Sequence, residues 1–258
     1  MKRRDFIAGS ALVAGAAVTG QATAAVRPAP SEKQVYELRV HHFKNNAQKN
    51  MLDQYYTQAL IPLLNRHEVK VGAFEEYGMT EPPTTYSLLV YPSLADYHRV
   101  RKAMWSDEAF KKSSSGFFSD TVKEGAYLRY ESYLLEAFDA IPQIREPDAG
   151  RGLFELRIYE SNNEEAGQRK IKMFNKGELA LFDEVGLHAV FFGEILAGPQ
   201  MPALVYMLSF KDMDERTTNW KAFSGSPKWK EMSGKDEYAN TVSVVNRKFL
   251  VPSKYSQI

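Results

Sequence analysis

The chain has 258 residues, 33 Lys+Arg against 32 Asp+Glu, 44% hydrophobic residues and no cysteine. That length supplies a buried core for one large domain or two small ones. The near-neutral charge argues against a surface built to neutralise nucleic-acid phosphates, and without cysteine there is no disulfide and no thiolate-held zinc or iron–sulfur centre.

The N-terminus reads Met1-Lys2-Arg3-Arg4-Asp5-Phe6-Ile7, then an Ala/Gly-rich stretch to Gly20, then Ala22-Thr23-Ala24. A basic start, a short apolar middle and small residues at the end read as a secretory signal. Arg3-Arg4 followed by Phe6-Ile7 resembles a twin-arginine signal, the route for proteins exported already folded. The expectation is a signal over 1–24, a flexible lead-in over 25–34, and a periplasmic or secreted mature protein. No later apolar run approaches the ~18 residues of a membrane helix, so no stable span is expected after the signal is removed.

Residues 35–43 alternate as a strand, with Tyr36, Leu38 and Val40 on one face and Glu37, Arg39 and His41 on the other. Met51, Leu52, Tyr55, Tyr56, Ala59, Leu60, Leu63 and Leu64 form the apolar stripe of a helix, which Pro62 is expected to bend or loosen. Residues 69–77 and 85–91 read as strands. Leu94, Tyr97, Arg101, Met104 and Trp105 mark a second helix capped by Ser93, and residues 122–135 read as a closing strand.

This pattern then returns. Tyr36-Glu37-Leu38-Arg39-Val40 reappears as Phe154-Glu155-Leu156-Arg157-Ile158, and the same offset pairs Leu63 with Leu181 and Phe74 with Phe192. One residue gained in a loop brings Leu89 onto Leu208, Tyr91 onto Phe210, and Phe110-Lys111 onto Trp229-Lys230. The ordered set of matches indicates two homologous modules, 35–138 and 151–258, joined by a Pro- and Gly-bearing linker over 139–150. In the second module the expected elements are 153–160, 166–185, 187–195, 203–210, 214–223 and 241–251. Each module has the order β-α-β-β-α-β, the ferredoxin-like unit. The expected fold is α+β: two such modules placing their open sheet faces together, with helices outside. On that reading the apolar face of the first strand meets the helices. Glu37, Arg39 and His41, mirrored by Glu155, Arg157 and Tyr159, would face a shared interior.

Tyr36-Glu37-Leu38-Arg39, Leu89-Val90-Tyr91-Pro92-Ser93-Leu94-Ala95-Asp96 and Ser106-Asp107-Glu108-Ala109-Phe110-Lys111 together resemble the NIPSNAP family. Phe154-Glu155-Leu156-Arg157 with Gly225-Ser226-Pro227-Lys228-Trp229-Lys230 resembles a second, more divergent copy, in which Lys211-Asp212-Met213-Asp214 departs from the first copy's Ser-Leu-Ala-Asp. The resemblance implies the dimeric α/β-barrel fold, here as a pseudo-dimer within one chain. That fold is shared with antibiotic-biosynthesis monooxygenases and with haem-degrading or chlorite-dismutase-like proteins. It implies no agreed catalytic residues.

The candidate ligand-binding residues are Glu37, Arg39, His41, Glu155, Arg157 and Tyr159. Residues two apart share a strand face, so each Glu/Arg pair could hold an anion through its guanidinium or could simply neutralise itself. His41 is the candidate for acid–base work or axial haem ligation; the adjacent His42 leaves the opposite face, so the two do not share a metal. No HExxH, Gly-rich phosphate loop or G-x-S-x-G elbow occurs, so no metal site and no evident cofactor is expected, with haem kept as a cofactor alternative. Tyr55, Tyr56, Phe74, Trp105, Phe191, Phe192, Trp220 and Trp229 fit plain core packing. The expected function is an exported module that binds a small apolar or anionic ligand in the barrel interior. The alternative is a cofactor-independent oxygenase or a haem-related enzyme. No nucleic-acid partner is expected, and assembly into a homo-oligomer is left open.

Overall fold

The first strand, β1 (Val35–His42), alternates in the expected register, but both of its faces are buried, and this decides how the two modules meet. The computed structural model describes residues 33–78, 80–119 and 125–258. The expected signal, most of the lead-in, and residues 122–124 of the expected closing strand lie outside the described residues.

In the first module β1 is followed by α1 (Asn46–Tyr55), a π turn (Tyr56–Leu60) and α2 (Ile61–Asn65). Then come β2 (Lys70–Glu76), β3 (Thr84–Tyr91), α3 (Leu94–Met104), α4 (Glu108–Ser114) and β4 (Arg129–Ala137). The second module repeats this as β5 (Leu153–Glu160), α5 (Glu164–Met173), a π turn (Phe174–Glu178), α6 (Leu179–Glu184), β6 (His188–Ala197), β7 (Ala203–Phe210), α7 (Met213–Gly225), α8 (Pro227–Ser233) and β8 (Val244–Pro252). The caps repeat as well. Asn45 and Asn163 accept from the amides of Gln48 and Ala166, and Ser93 and Asp212 from those of Asp96 and Glu215. Each cap satisfies an otherwise orphaned first-turn donor.

The strands form one closed antiparallel barrel in the order β1-β3-β2-β8-β5-β7-β6-β4. The modules are therefore stitched edge to edge, Phe74–Glu76 of β2 pairing with 250–252 of β8, and 134–137 of β4 pairing with 193–197 of β6. Closure removes the strand edges that each module alone would expose.

The expected facing of β1 is reversed. Tyr36, Leu38 and Val40 point into the barrel, where they join Phe74, Leu88 and Leu135 of the first module and Phe154, Leu156 and Met207 of the second in one core. Glu37, Arg39 and His41 point outward beneath the helices, as do Glu155, Arg157 and Tyr159. Along most of its length the interior of this eight-stranded barrel is filled by side chains and offers a carboxylate few partners, so it takes the purely apolar face. The helix side brings the donors that a buried Glu needs.

Three smaller differences follow. The π turn recurs at Phe174–Glu178, where Pro62 is replaced by Ala180, so the widened turn belongs to the repeated fold and not to the proline alone. β4 starts at Arg129 and β8 at Val244, later than expected. The linker is packed against the molecule: Ile141 is buried and bridges to Phe138 at the end of the first module, and the Gln34 amide donates to the Pro142 carbonyl at 2.9 Å. No helix among the described residues is long and apolar enough to cross a membrane.

The β4–β6 seam is tight at Gly193, where an added Cβ would meet Leu135 Cβ at 2.9 Å and the Glu136 carbonyl oxygen at 3.3 Å. Gly193→Ala should therefore cost about 1–3 kcal/mol by overpacking. Gly225→Ala, whose Cβ meets nothing within 4 Å, should stay within about 0.5 kcal/mol of wild type. Urea denaturation of both variants checks the pair; equal midpoints would mean that the seam yields freely.

Candidate functional site

Glu37 is fully buried on the helix side of β1, which is unfavourable for a carboxylate unless it is surrounded by donors. Arg39, two residues on and so on the same face, supplies a two-pronged pair with Nε at 2.9 Å and Nη2 at 2.8 Å. Ser132 Oγ donates at 3.0 Å, the Tyr91 hydroxyl at 3.3 Å, and Arg101 of α3 approaches to 3.8 Å. Burial alone would push the Glu37 carboxyl up, but the Arg39 charge and these hydrogen bonds hold it below the usual range. It is ionised at neutral pH.

Beside this pair lies a cavity of about 260 Å³ between the sheet and the helices. Arg39, His41 and Arg101 are its polar lining, and Tyr55, Trp105, Phe117, Phe118, Tyr127 and Tyr130 its aromatic walls. Two guanidiniums against one carboxylate leave a surplus positive charge at this site. His41 is buried, stacked on Tyr130 at 5.1 Å and edge-on to Tyr127 at 5.5 Å. Burial first, and then the neighbouring Arg39 charge, lower its pKa to about 3, so the ring is neutral.

Among the described residues, four buried side-chain polar atoms have no hydrogen-bond partner: His41 Nδ1, Tyr56 OH, Thr85 Oγ1 and Ser87 Oγ. All four belong to one patch. Thr85 and Ser87 of β3 lie directly across from His41 and Arg39 of β1, and the Tyr56 ring stands edge-on to His41 at 6.1 Å. The Tyr56 hydroxyl lies near Ser87 and Arg39 without completing a well-formed bond to either. A buried polar group left unpaired costs about 1–3 kcal/mol, so a cluster of them marks a place for an enclosed water or a ligand's polar atoms.

The second module provides an internal comparison. Strand register and helix caps place Tyr159 where the first module has His41, Phe174 for Tyr56, Leu204 for Thr85, Tyr206 for Ser87, and Trp220 for Arg101. Every unpaired polar position is replaced by a larger or apolar group, or by one that finds partners. Glu155 accepts from Arg157 at 2.7 Å, Arg216 at 2.9 and 3.1 Å and Trp220 Nε1 at 2.9 Å. The Tyr159 hydroxyl accepts from Arg157 and Tyr206 at 2.8 and 2.7 Å, and the Arg157 guanidinium lies 3.8 Å from the Trp220 ring centre. A buried Lys170–Glu178 pair at 2.6 Å takes the place where the first module has Leu52 and Leu60. Here the polar groups are spent on one another.

The structure thus brings Glu37, Arg39 and His41 together at one cavity, and Glu155, Arg157 and Tyr159 at a filled counterpart; it does not bring the two sets together. Arg101 sits in the helix stripe Leu94, Tyr97, Arg101, Met104, and an arginine on an apolar stripe is the readable signal of its place at the cavity. Tyr127 and Tyr130 were hidden in an expected strand. Of the aromatics assigned to core packing, Tyr55 and Trp105 line the cavity. No group of three or more His, Asp or Glu that could hold a metal occurs among the described residues.

His41 gives the site a pH signature. As pH falls below 6.5 the unfolded chain takes up a proton that the folded chain refuses until about 3, so stability drops across that window. At about 1.4 kcal/mol per pH unit, the wild type should lose about 2 kcal/mol more than His41→Phe between pH 7 and pH 5. Urea midpoints at the two pH values measure this; equal losses would place the His41 ring in water.

The NIPSNAP family profile matches residues 36–126 and again 154–257. No curated protein matches the sequence. Among solved structures, a candidate monooxygenase from Lactobacillus acidophilus NCFM superposes with TM-score 0.57 at 12% identity, covering 86% of this chain and 94% of its own. A candidate monooxygenase from Fusobacterium nucleatum gives 0.57 at 11%, covering 88% and 99%. An anthrone oxidase-like protein gives 0.51 at 10%, covering 87% and 93%. At these identities the likeness is one of fold.

Proposed function

We propose that this chain, which belongs to the NIPSNAP family, binds one small flat aromatic molecule carrying an oxyanion in the helix-side cavity of its first module. The observation that carries this is the contrast between the modules: surplus guanidinium charge and unpaired polar atoms in the first, a filled and self-paired network in the second. The small-ligand reading is thereby moved from the barrel interior to the space under the helices. The aromatic walls offer stacking faces, and Arg39 and Arg101 suit a carboxylate, phenolate or enolate. A cavity of about 150 Å³ holds one benzene ring. The 260 Å³ here therefore suits two fused rings better than the four-pyrrole plane of a haem. His41 accordingly enters the proposal as an acid–base group and not as an axial ligand.

One observation favours a reaction at the same site. A ligand oxyanion resting on Arg39 and Arg101 offsets the guanidinium charge that helps keep His41 neutral, and the ring can then take a proton from the ligand's activated CH₂. Such a carbanion reacts with dioxygen directly: CH₂ plus O₂ gives C=O plus H₂O, with no external reductant. Cofactor-independent oxygenation is the second reading, and the anthrone oxidase-like neighbour suggests the probe.

The proposal also includes export. Arg3-Arg4, the weakly apolar stretch and Ala22-Thr23-Ala24 support a twin-arginine signal and a periplasmic mature chain. N-terminal sequencing of periplasmic protein should start at Ala25; a start at Met1 would remove that part.

Calorimetric titration with 1-naphthoate should give one site per chain. Arg101→Ala should weaken it about tenfold, as expected for one lost charge-assisted bond, and Leu52→Trp should abolish it by filling the cavity. Affinity untouched by either variant would refute the site. An oxygen electrode with anthrone distinguishes the second reading: uptake that His41→Phe abolishes while naphthoate still binds supports it, and no uptake above buffer leaves a binding protein.

A further inference from the structure

The barrel interior is not solid throughout. β1, β2, β5 and β6 all run toward the same end, because every neighbouring pair around the barrel is antiparallel. At the opposite end Ile144 of the linker and Ile258 of the C-terminal segment pack against the interior core. Gln257 is tied to β2, its amide donating to the Val71 carbonyl at 2.9 Å. One end is plugged; the other opens into a cup of about 510 Å³, larger than the helix-side cavity and separate from it.

The cup draws on both modules. Val40, Leu156 and Ile158 form an apolar floor, and Tyr86 and Tyr133 stand as walls. Gly198 helps keep it open: a Cβ there would meet Tyr133 Cδ1 at 2.9 Å, so glycine lets the ring lie back against the chain after β6. The rim carries two carboxylates. Glu76 accepts from Tyr86 at 2.8 Å and Lys248 at 2.9 Å, and Glu131 is bonded to His42 at 3.0 Å and accepts from Tyr133 at 3.2 Å. Burial works against both charges, but Lys248 and Tyr86 hold Glu76 below its ordinary value, and Arg129 and His42 do the same for Glu131. Both are ionised at neutral pH, Glu76 against Lys248 and Glu131 against Arg129, whose Nη2 lies 3.1 Å away. Just behind them Glu160 accepts from Gln200 and Asn246 of the lining at 3.1 and 2.7 Å, so among the described residues acidic side chains outnumber lysine and arginine at this rim by three to two.

An apolar floor beneath an anionic rim selects a ligand by both ends. An aliphatic or aromatic body gains by leaving water for the floor, and a cationic head is favoured over an anionic one by the sign of the rim. We propose that the open end of the barrel is a second ligand site that takes an amphipathic amine, its apolar part on Val40, Leu156 and Ile158 and its ammonium at Glu76 and Glu131. This site is independent of the first-module cavity, which prefers the opposite charge.

The test is calorimetric titration of the full chain with 4-phenylbutylamine and with 4-phenylbutyrate, which share a body and differ in head charge. The amine should bind at least tenfold more tightly. Ile158→Trp and Thr84→Trp, both at half-buried lining positions, should each weaken the amine at least tenfold by filling the cup. Glu76→Gln with Glu131→Gln should erase the preference for the amine. Leu52→Trp, which fills the other cavity, should leave amine binding unchanged. Far-ultraviolet circular dichroism confirms that each variant folds, and either filling variant suffices if the other does not. The proposal is overturned if the amine gives no binding heat, if both heads bind equally, if amine binding survives a folded filling variant, or if Leu52→Trp removes it.

Discussion

Closure of the barrel is the constraint on which the rest depends. Eight strands joined edge to edge leave a narrow interior that side chains fill along most of its length, and that stretch must be dry. Strand alternation then fixes the fate of every other residue. With Tyr36, Leu38 and Val40 committed to the inside, Glu37, Arg39 and His41 have nowhere to go but under the helices. A buried carboxylate there must be met by donors from the strand, the neighbouring strands and the helix above. Glu37 and Glu155 each meet that demand, the first with Arg39, Ser132 and Tyr91, the second with Arg157, Arg216 and Trp220.

The two modules solve the same problem to different ends. In the second, Trp220 and Tyr206 fill the space and complete the hydrogen bonds, which is the arrangement that stability alone would favour. In the first, small hydroxyls, a neutral histidine and an open aromatic cavity remain. Unpaired buried groups lower stability, and proteins retain such local costs chiefly where function requires them. A doubled chain can divide labour in this way, one copy acting as scaffold and the other keeping a site.

Much of the fold was legible in the sequence. The Tyr36–Val40 and Phe154–Ile158 repeat exposed the duplication, and the Ser93 cap and the strands 153–160 and 203–210 followed from local chemistry. The facing of β1 was not legible, because period-two alternation separates two faces without saying which of two buried environments each will meet. A charged face reads as the one bound for a polar cavity, whereas here it is the one that helix-borne donors can cover. The π turns were hidden for a related reason: Pro62 offered a local cause in one module, while Phe174–Glu178 shows the same turn without it. The pairing of Glu37 with Arg39 and of Glu155 with Arg157 was legible, since Glu-Leu-Arg recurs and residues two apart, His41 included, share a strand face. Their partners Arg101, Tyr127 and Tyr130 come from distant segments that only the closed fold assembles.

The most direct measurement is a crystal structure of the chain soaked with 1-naphthoate. The expected result is a fused ring seated against Tyr130 and Trp105 with its carboxylate toward Arg39 and Arg101, and no counterpart beside Tyr159 and Trp220. Density for the ring in both modules alike, or only inside the barrel, would contradict the account.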